Sequence, residues 1–151
     1  MSMLSQKPVV GRVEPLTFAD DTITGLPAKV DSGAYRSSIW ATNIHEKDGR
    51  LYFTLLGPSS EYYSGKQHET SEFRLVTVEN SFGHKQQRYS VFLRVRVGGK
   101  LIRSNFTLAN RAAKTYSALI GRKMLKGRFV VDVSQGQPLN DEEEFGDDSL
   151  A

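Results

Sequence analysis

The first residues in this sequence whose types suggest a reagent are Asp31-Ser32-Gly33. A carboxylate, a hydroxyl and a glycine stand in a row between an extended-looking run, Pro27-Ala28-Lys29-Val30, and a second run, Ser37-Ser38-Ile39-Trp40-Ala41. Asp and Ser favour turns and Gly often follows them, so the triplet in isolation fits an ordinary turn. Its context says more. Far downstream, Ala118-Leu119-Ile120-Gly121-Arg122 sets two bulky apolar residues before a glycine that opens the short helical run Lys123-Met124-Leu125-Lys126.

Other reagents are scarce. The chain has no cysteine, which excludes thiolate nucleophiles, disulfides, iron-sulfur clusters and Cys-based zinc sites. His45, His68 and His84 are isolated in the sequence. There is no His-Glu-x-x-His and no Gly-x-x-x-x-Gly-Lys-[Ser/Thr], so the residues themselves call for neither a metal nor a nucleotide, and no cofactor is expected.

The elements that must position Asp31 are strands. Apolar residues recur at period two in Arg50–Leu55, Phe73–Val78 and Val91–Val97, the signature of half-buried strands. Lys47-Asp48-Gly49 and Gly98-Gly99 read as hairpin turns, and Gly57 to Lys66 as a polar loop. Glu79-Asn80-Ser81-Phe82-Gly83-His84 lies between two alternating runs; with Gly83 free to take positive φ, it predicts a β-hairpin flap over a cleft. Asn110 to Ser117 and Arg122 to Lys126 are helix-compatible but short. Trp40 reads as core or rim packing, and Arg88, Arg94, Arg96 and Arg103 as solvated strand-face residues, with attraction of an acidic substrate as their second reading.

The whole chain is a single-domain length of 151 residues. Neither a signal peptide nor a membrane span is expected, which makes a cytoplasmic protein the default. Charge is unevenly spread: the stretch after Asn140 holds six of the 17 acidic residues, leaving 20 basic against 11 acidic, or +9, in the body. Such a body suits nucleic acid, a ribosomal surface or an acidic peptide or protein as partner. Nucleic acid is the weakest partner, since the basic residues are scattered without an aromatic-interleaved basic motif.

Asp31-Ser32-Gly33-Ala34 together with Leu119-Ile120-Gly121-Arg122 resembles the retropepsin-like aspartic peptidases. Adding Gly11-Arg12, Ala28 to Ala34, Thr107-Leu108-Ala109-Asn110-Arg111 and the block Leu119 to Asp132, the chain is similar to a bacterial family labelled ATP-dependent zinc protease and associated with ribosomal-protein glutamate ligases. Ser32 departs from the Thr expected in most members, but either hydroxyl can hydrogen-bond beside the carboxylate. The resemblance implies a mainly β, single-lobe closed barrel with one or two short helices over 11–134, after an extension at 1–10 and before an acidic, disordered tail at 135–151. It implies Asp31, Ser32 and Gly33 as catalytic residues, with Ala34, Phe82, Gly83 and Arg122 at the substrate; Arg122 either pairs with a carboxylate near a subunit contact or is an exposed helix arginine.

Peptide hydrolysis by carboxylates needs one ionised group to take a proton from water and one protonated group to give one. A chain with a single Asp-[Ser/Thr]-Gly-Ala must obtain the second from another copy, so a homodimer is expected. The alternatives are a non-catalytic peptide- or protein-binding module on the same fold and, from the family label, a zinc-dependent peptidase.

Overall fold

The computed structural model describes residues 6–80 and 82–136. In chain order these form β1 (Val9–Val10), β2 (Val13–Phe18), β3 (Leu26–Val30), β4 (Ser37–Lys47), β5 (Arg50–Leu55), β6 (Gln67–Thr70), β7 (Phe73–Glu79), β8 (Lys85–Val97), β9 (Lys100–Ala109), β10 (Ala118–Ile120), the helix α1 (Arg122–Leu125) and β11 (Val130–Val131). Six strands in the order β10-β3-β2-β8-β9-β4 close into a barrel, because β4 pairs back onto β10. The expected mainly β barrel is the observed one.

Alternation explains the barrel's inside and outside. Along β8, Val95 and Val97 are buried while Arg94 and Arg96 between and beside them are exposed. Across the ladder Val95 meets Ile102 and Val91 meets Phe106, all buried, and Leu16 opposes Leu26 on the next wall. Each such side chain taken fully out of water contributes about 1.5–3 kcal/mol. The two predicted tight turns form as expected: Asp48-Gly49 has φ of 54° and 76°, and Gly98-Gly99 has 54° and 78°, the paired left-handed conformations whose twist suits a two-residue hairpin.

One expectation is corrected. Asn110 to Ser117 is an irregular connection, not a helix. The Asn110 side chain accepts from the Ala112 amide at 3.2 Å, and Lys114 N–H closes a turn on Arg111 O at 3.0 Å. So short a segment does not offset helix nucleation, and an Asn side chain that caps its own backbone offers an alternative. Most pairings are antiparallel; within the barrel β3 runs parallel with β10 and β4 with β9, and outside it β1 runs parallel with β11.

Pairing extends outward of 11–134. β1 pairs with β11, burying Val10, and the Arg12 amide donates to Gln135 O at 2.9 Å. Most of the acidic tail and the first half of the N-terminal extension lie outside the described residues. Among the described residues no helix is long and apolar enough to cross a membrane.

Candidate active site

The two segments singled out in the sequence meet. Strand β10 is wedged between β3, which it pairs in parallel, and β4, which it pairs antiparallel. The Asp31 amide donates to Ile120 O at 2.9 Å, carrying the β3–β10 pairing one residue past β3. Asp31 is therefore anchored at the strand end through its backbone.

Beyond it the loop is tied at successive points. The Gly33 amide donates to Asp31 Oδ1 at 2.9 Å and the Ala34 amide to Asp31 O at 3.2 Å. From the other side, the amides of Arg122 and Lys123 donate to Ala34 O at 2.7 Å and Tyr35 O at 3.0 Å. Gly121 explains why these two pieces fit: its amide donates to the buried Ser37 Oγ at 3.0 Å, and a Cβ there would stand 2.5 Å from both C and O of Arg36. Only glycine permits that approach.

The predicted residues fall into three places. Asp31 is half-buried at the loop entrance, with only Oδ1 hydrogen-bonded among the described residues. Ser32 is exposed and makes no side-chain hydrogen bond there; the group that orients the carboxylate is the Gly33 amide. Arg122 Nη1 grips the loop through Ser32 O at 3.1 Å and Gly33 O at 3.3 Å, with its guanidinium 5.5 Å from the Tyr35 ring centroid. It thus acts on the loop's backbone, and no carboxylate pairs with it among the described residues. Phe82 and Gly83 are at the tip of the β7–β8 hairpin, Phe82 84% exposed and Gly83 at φ 83°.

A cleft of about 340 Å³ separates the Asp31 loop from that hairpin. Gly33 and Ala34 line one wall, and the hairpin's stem (Thr77, Val78 and Glu79), rather than its tip, lines the other. Ser38 and Thr107 form part of the floor; they are direct neighbours across β4 and β9 and so share a face of the sheet.

Sequence reasoning did not single out Arg111, and read Arg88 first as solvated. Both line the cleft. Arg111 is half-buried and donates from Nε to Tyr116 O at 3.1 Å. Burial pushes its guanidinium pKa down, as does the like charge of Arg88, while Asp31 opposes both. The only sequence signal was position, an arginine just past the end of a strand in the Thr107 to Arg111 run.

The histidines stay apart. His45 stacks on Tyr52 at 5.3 Å, His68 stacks on Phe53 at 5.4 Å, and His84 is in the exposed hairpin. Among the described residues no three His, Asp or Glu side chains gather as a metal-ligand group, so these side chains do not form the donor set that the zinc label calls for.

Residues 9–138 match the RimB-like family, described as "Retropepsin-like aspartic endopeptidase RimB". A Shewanella pealeana protein named "Probable alpha-L-glutamate ligase" is 30% identical over 139 residues, which is 88% of this chain and 30% of that protein. A Desulfotalea psychrophila protein of the same name is 28% identical over 138 residues, 87% of this chain and 29% of that one. The chain therefore spans about 30% of the length of these curated relatives. A solved DUF785 protein of unknown function from Legionella pneumophila superposes with a TM-score of 0.63 at 28% identity, over 86% of this chain and 96% of that one.

Proposed function

The chain belongs to the RimB-like family of retropepsin-like aspartic endopeptidases, and from that premise we propose that it hydrolyses peptides as a symmetric homodimer through two Asp31 carboxylates. The observation that carries this reading is the fixed presentation of Asp31: its backbone is locked to β10, one carboxylate oxygen is held by the Gly33 amide, and its loop walls a cleft. A carboxylate so placed is preorganised for proton transfer.

Two such groups facing across a twofold axis share one proton, because ionising both in close proximity is unfavourable. The ionised member takes a proton from water as the water attacks the peptide carbonyl. The protonated member donates to the carbonyl oxygen. The tetrahedral intermediate then collapses as the amine leaves with a proton returned from the dyad.

Features beside the loop support a second copy. Ser32 is exposed, and a hollow of about 610 Å³ next to it is lined by Tyr35, Leu125, Phe129 and Val131 together with the basic Arg122, Lys123 and Lys126. Val9, Val130 and Val133 are 50%, 52% and 71% exposed on or beside β1 and β11. Apolar surface gathered at a site that needs a partner is surface a partner would cover.

The substrate we assign is acidic, with glutamate-rich peptides first. Relatives named as glutamate ligases contain a segment similar to this whole domain, and a peptidase acting on glutamate additions would work on the same product.

The test uses glutamate-rich peptides from acidic to neutral pH, several protein concentrations, a chelator arm and the Asp31→Asn variant. Cleavage should rise more steeply than linearly with concentration while dimers form, survive chelation, and disappear in Asp31→Asn although that variant folds and dimerises. Cleavage that persists in Asp31→Asn, or that a chelator abolishes and zinc restores, overturns the reading. Binding without cleavage under every condition favours the non-catalytic module.

A further inference from the structure

The cleft is not neutral. Arg88 on β8 and Arg111 after β9 enter it from different elements, and neither has a carboxylate within ion-pairing distance among the described residues. Arg36 also lines the cleft, and the acidic lining residue, Glu79, is directed toward the hairpin tip, where a Cβ on Gly83 would be 4.0 Å from its Oε1.

Each guanidinium is held from behind with donors left over. Arg88 uses Nε and Nη2 on Gln86 Oε1 at 3.2 and 3.1 Å. Arg111 uses Nε on Tyr116 O at 3.1 Å. Among the described residues, Arg88 therefore keeps Nη1, and Arg111 both Nη groups, without hydrogen bonds. A guanidinium braced through Nε is prepared for a two-pronged contact with a carboxylate.

An independent observation lies on the floor. Ser38 is 7% exposed and its Oγ is buried without a hydrogen-bond partner among the described residues. Buried hydroxyls are normally satisfied, and this one lines the cleft, where a ligand atom would complete its bonding. The two like charges add to this, since Arg88 disfavours the charged form of Arg111; an anion between them would reverse that penalty.

We propose that Arg88, Arg111 and the Ser38 hydroxyl form a subsite that receives the side-chain carboxylate of an acidic residue close to the scissile bond. The ligand's identity as a peptide rests on the peptidase reading; the anion site rests on the cleft itself. The position follows from the Asp31 loop, whose Gly33 and Ala34 line the same cleft as both arginines. One recognised glutamate would thus be fixed next to the catalytic loop, and Arg88 and Arg111 would determine specificity without taking part in proton transfer.

The experiment compares a glutamate-bearing peptide with its glutamine isostere. Binding is measured by fluorescence anisotropy on Asp31→Asn, so that nothing is cleaved, with and without Arg88→Gln, Arg111→Gln or Arg111→Lys; kcat/KM is measured with Asp31 intact. Each loss of a guanidinium should lower the glutamate-over-glutamine preference about tenfold or more, with Arg111→Lys retaining part of it. Should Arg111→Gln unfold through loss of its tie to Tyr116, as a thermal melt would reveal, Arg88→Glu should shift preference toward a lysine-bearing peptide.

Equal losses for both peptides, or an unchanged preference, overturn the subsite. So does an RNA oligonucleotide that binds through the same arginines more tightly than the glutamate peptide. If nothing is cleaved but the preference depends on both arginines, the subsite stands and the peptidase reading falls. If cleavage requires Asp31 but ignores both arginines, only the subsite falls.

Discussion

Gly121 has no room for a methyl group. Its missing Cβ lets α1 approach the carbonyls that follow Asp31, so Gly121→Ala must move the loop, the helix or both. We expect a loss of about 1–3 kcal/mol in urea unfolding, the usual range for overpacking, together with slower cleavage as Asp31 shifts. Asp20 offers a second test at this scale. Burial raises its pKa, but the hydrogen bonds from Thr22 and the contact with Lys66 at 3.0 Å outweigh that and bring it from 3.8 down to about 2. A depressed carboxylate contributes stability above its unfolded value and loses it as pH falls through the folded one. Asp20→Asn should therefore be less stable than the parent at neutral pH, by under about 1 kcal/mol for so exposed a pair, and the difference should close between pH 3.8 and about 2 in acid-unfolding curves.

At the scale of elements, the β7–β8 hairpin differs from the barrel it leaves. Its stem is paired from Phe73 with Val91 to Glu79 with Lys85, but its tip is exposed and held by the Asn80 side chain and by two backbone bonds, Asn80 N–H to His84 O at 2.9 Å and Gly83 N–H to Asn80 O at 3.0 Å. Asn80 Oδ1 accepts from the Phe82 amide at 2.9 Å and the His84 amide at 3.0 Å. Tip amides should exchange faster than those of buried Val91 and Val95, and Asn80→Ala should speed exchange at Phe82 and His84 about tenfold, the worth of roughly 1.4 kcal/mol of hydrogen bonding. Uniform, strong protection at the tip would contradict a lid. The hairpin was legible because Gly83 and the flanking alternation are local signals. The Asn110 to Ser117 connection was not, because its composition suits a helix while Asn110 satisfies the backbone another way.

At the scale of the molecule, activity is expected to depend on association. A charge at Val133 or Val130, both exposed and within two residues of Val131, which lines the hollow next to Ser32, should weaken the dimer without unfolding the monomer, since neither side chain supports the core. Val133→Asp should raise the dimer dissociation constant at least about tenfold in sedimentation equilibrium, and cleavage should return at higher protein concentration. Loss of cleavage at every concentration with the dimer intact would assign Val133 some other role.

Barrel class, both two-residue hairpins and the two motif segments could be read along the chain, because period-two burial and positive-φ turns are properties of neighbouring residues. The Asp31 loop could be named but not built from sequence, since its geometry comes from a strand inserted between β3 and β4 and from a glycine whose significance lies in the Arg36 backbone it meets. Arg111 shows the same limit more sharply. Its place just past a strand end is its one local mark; only the closure of the barrel sets it beside Arg88, in the cleft that the Ser38 hydroxyl also lines, and near the charge on Asp31. Charge at a site depends on distances through space, and those distances exist only once the strands have closed.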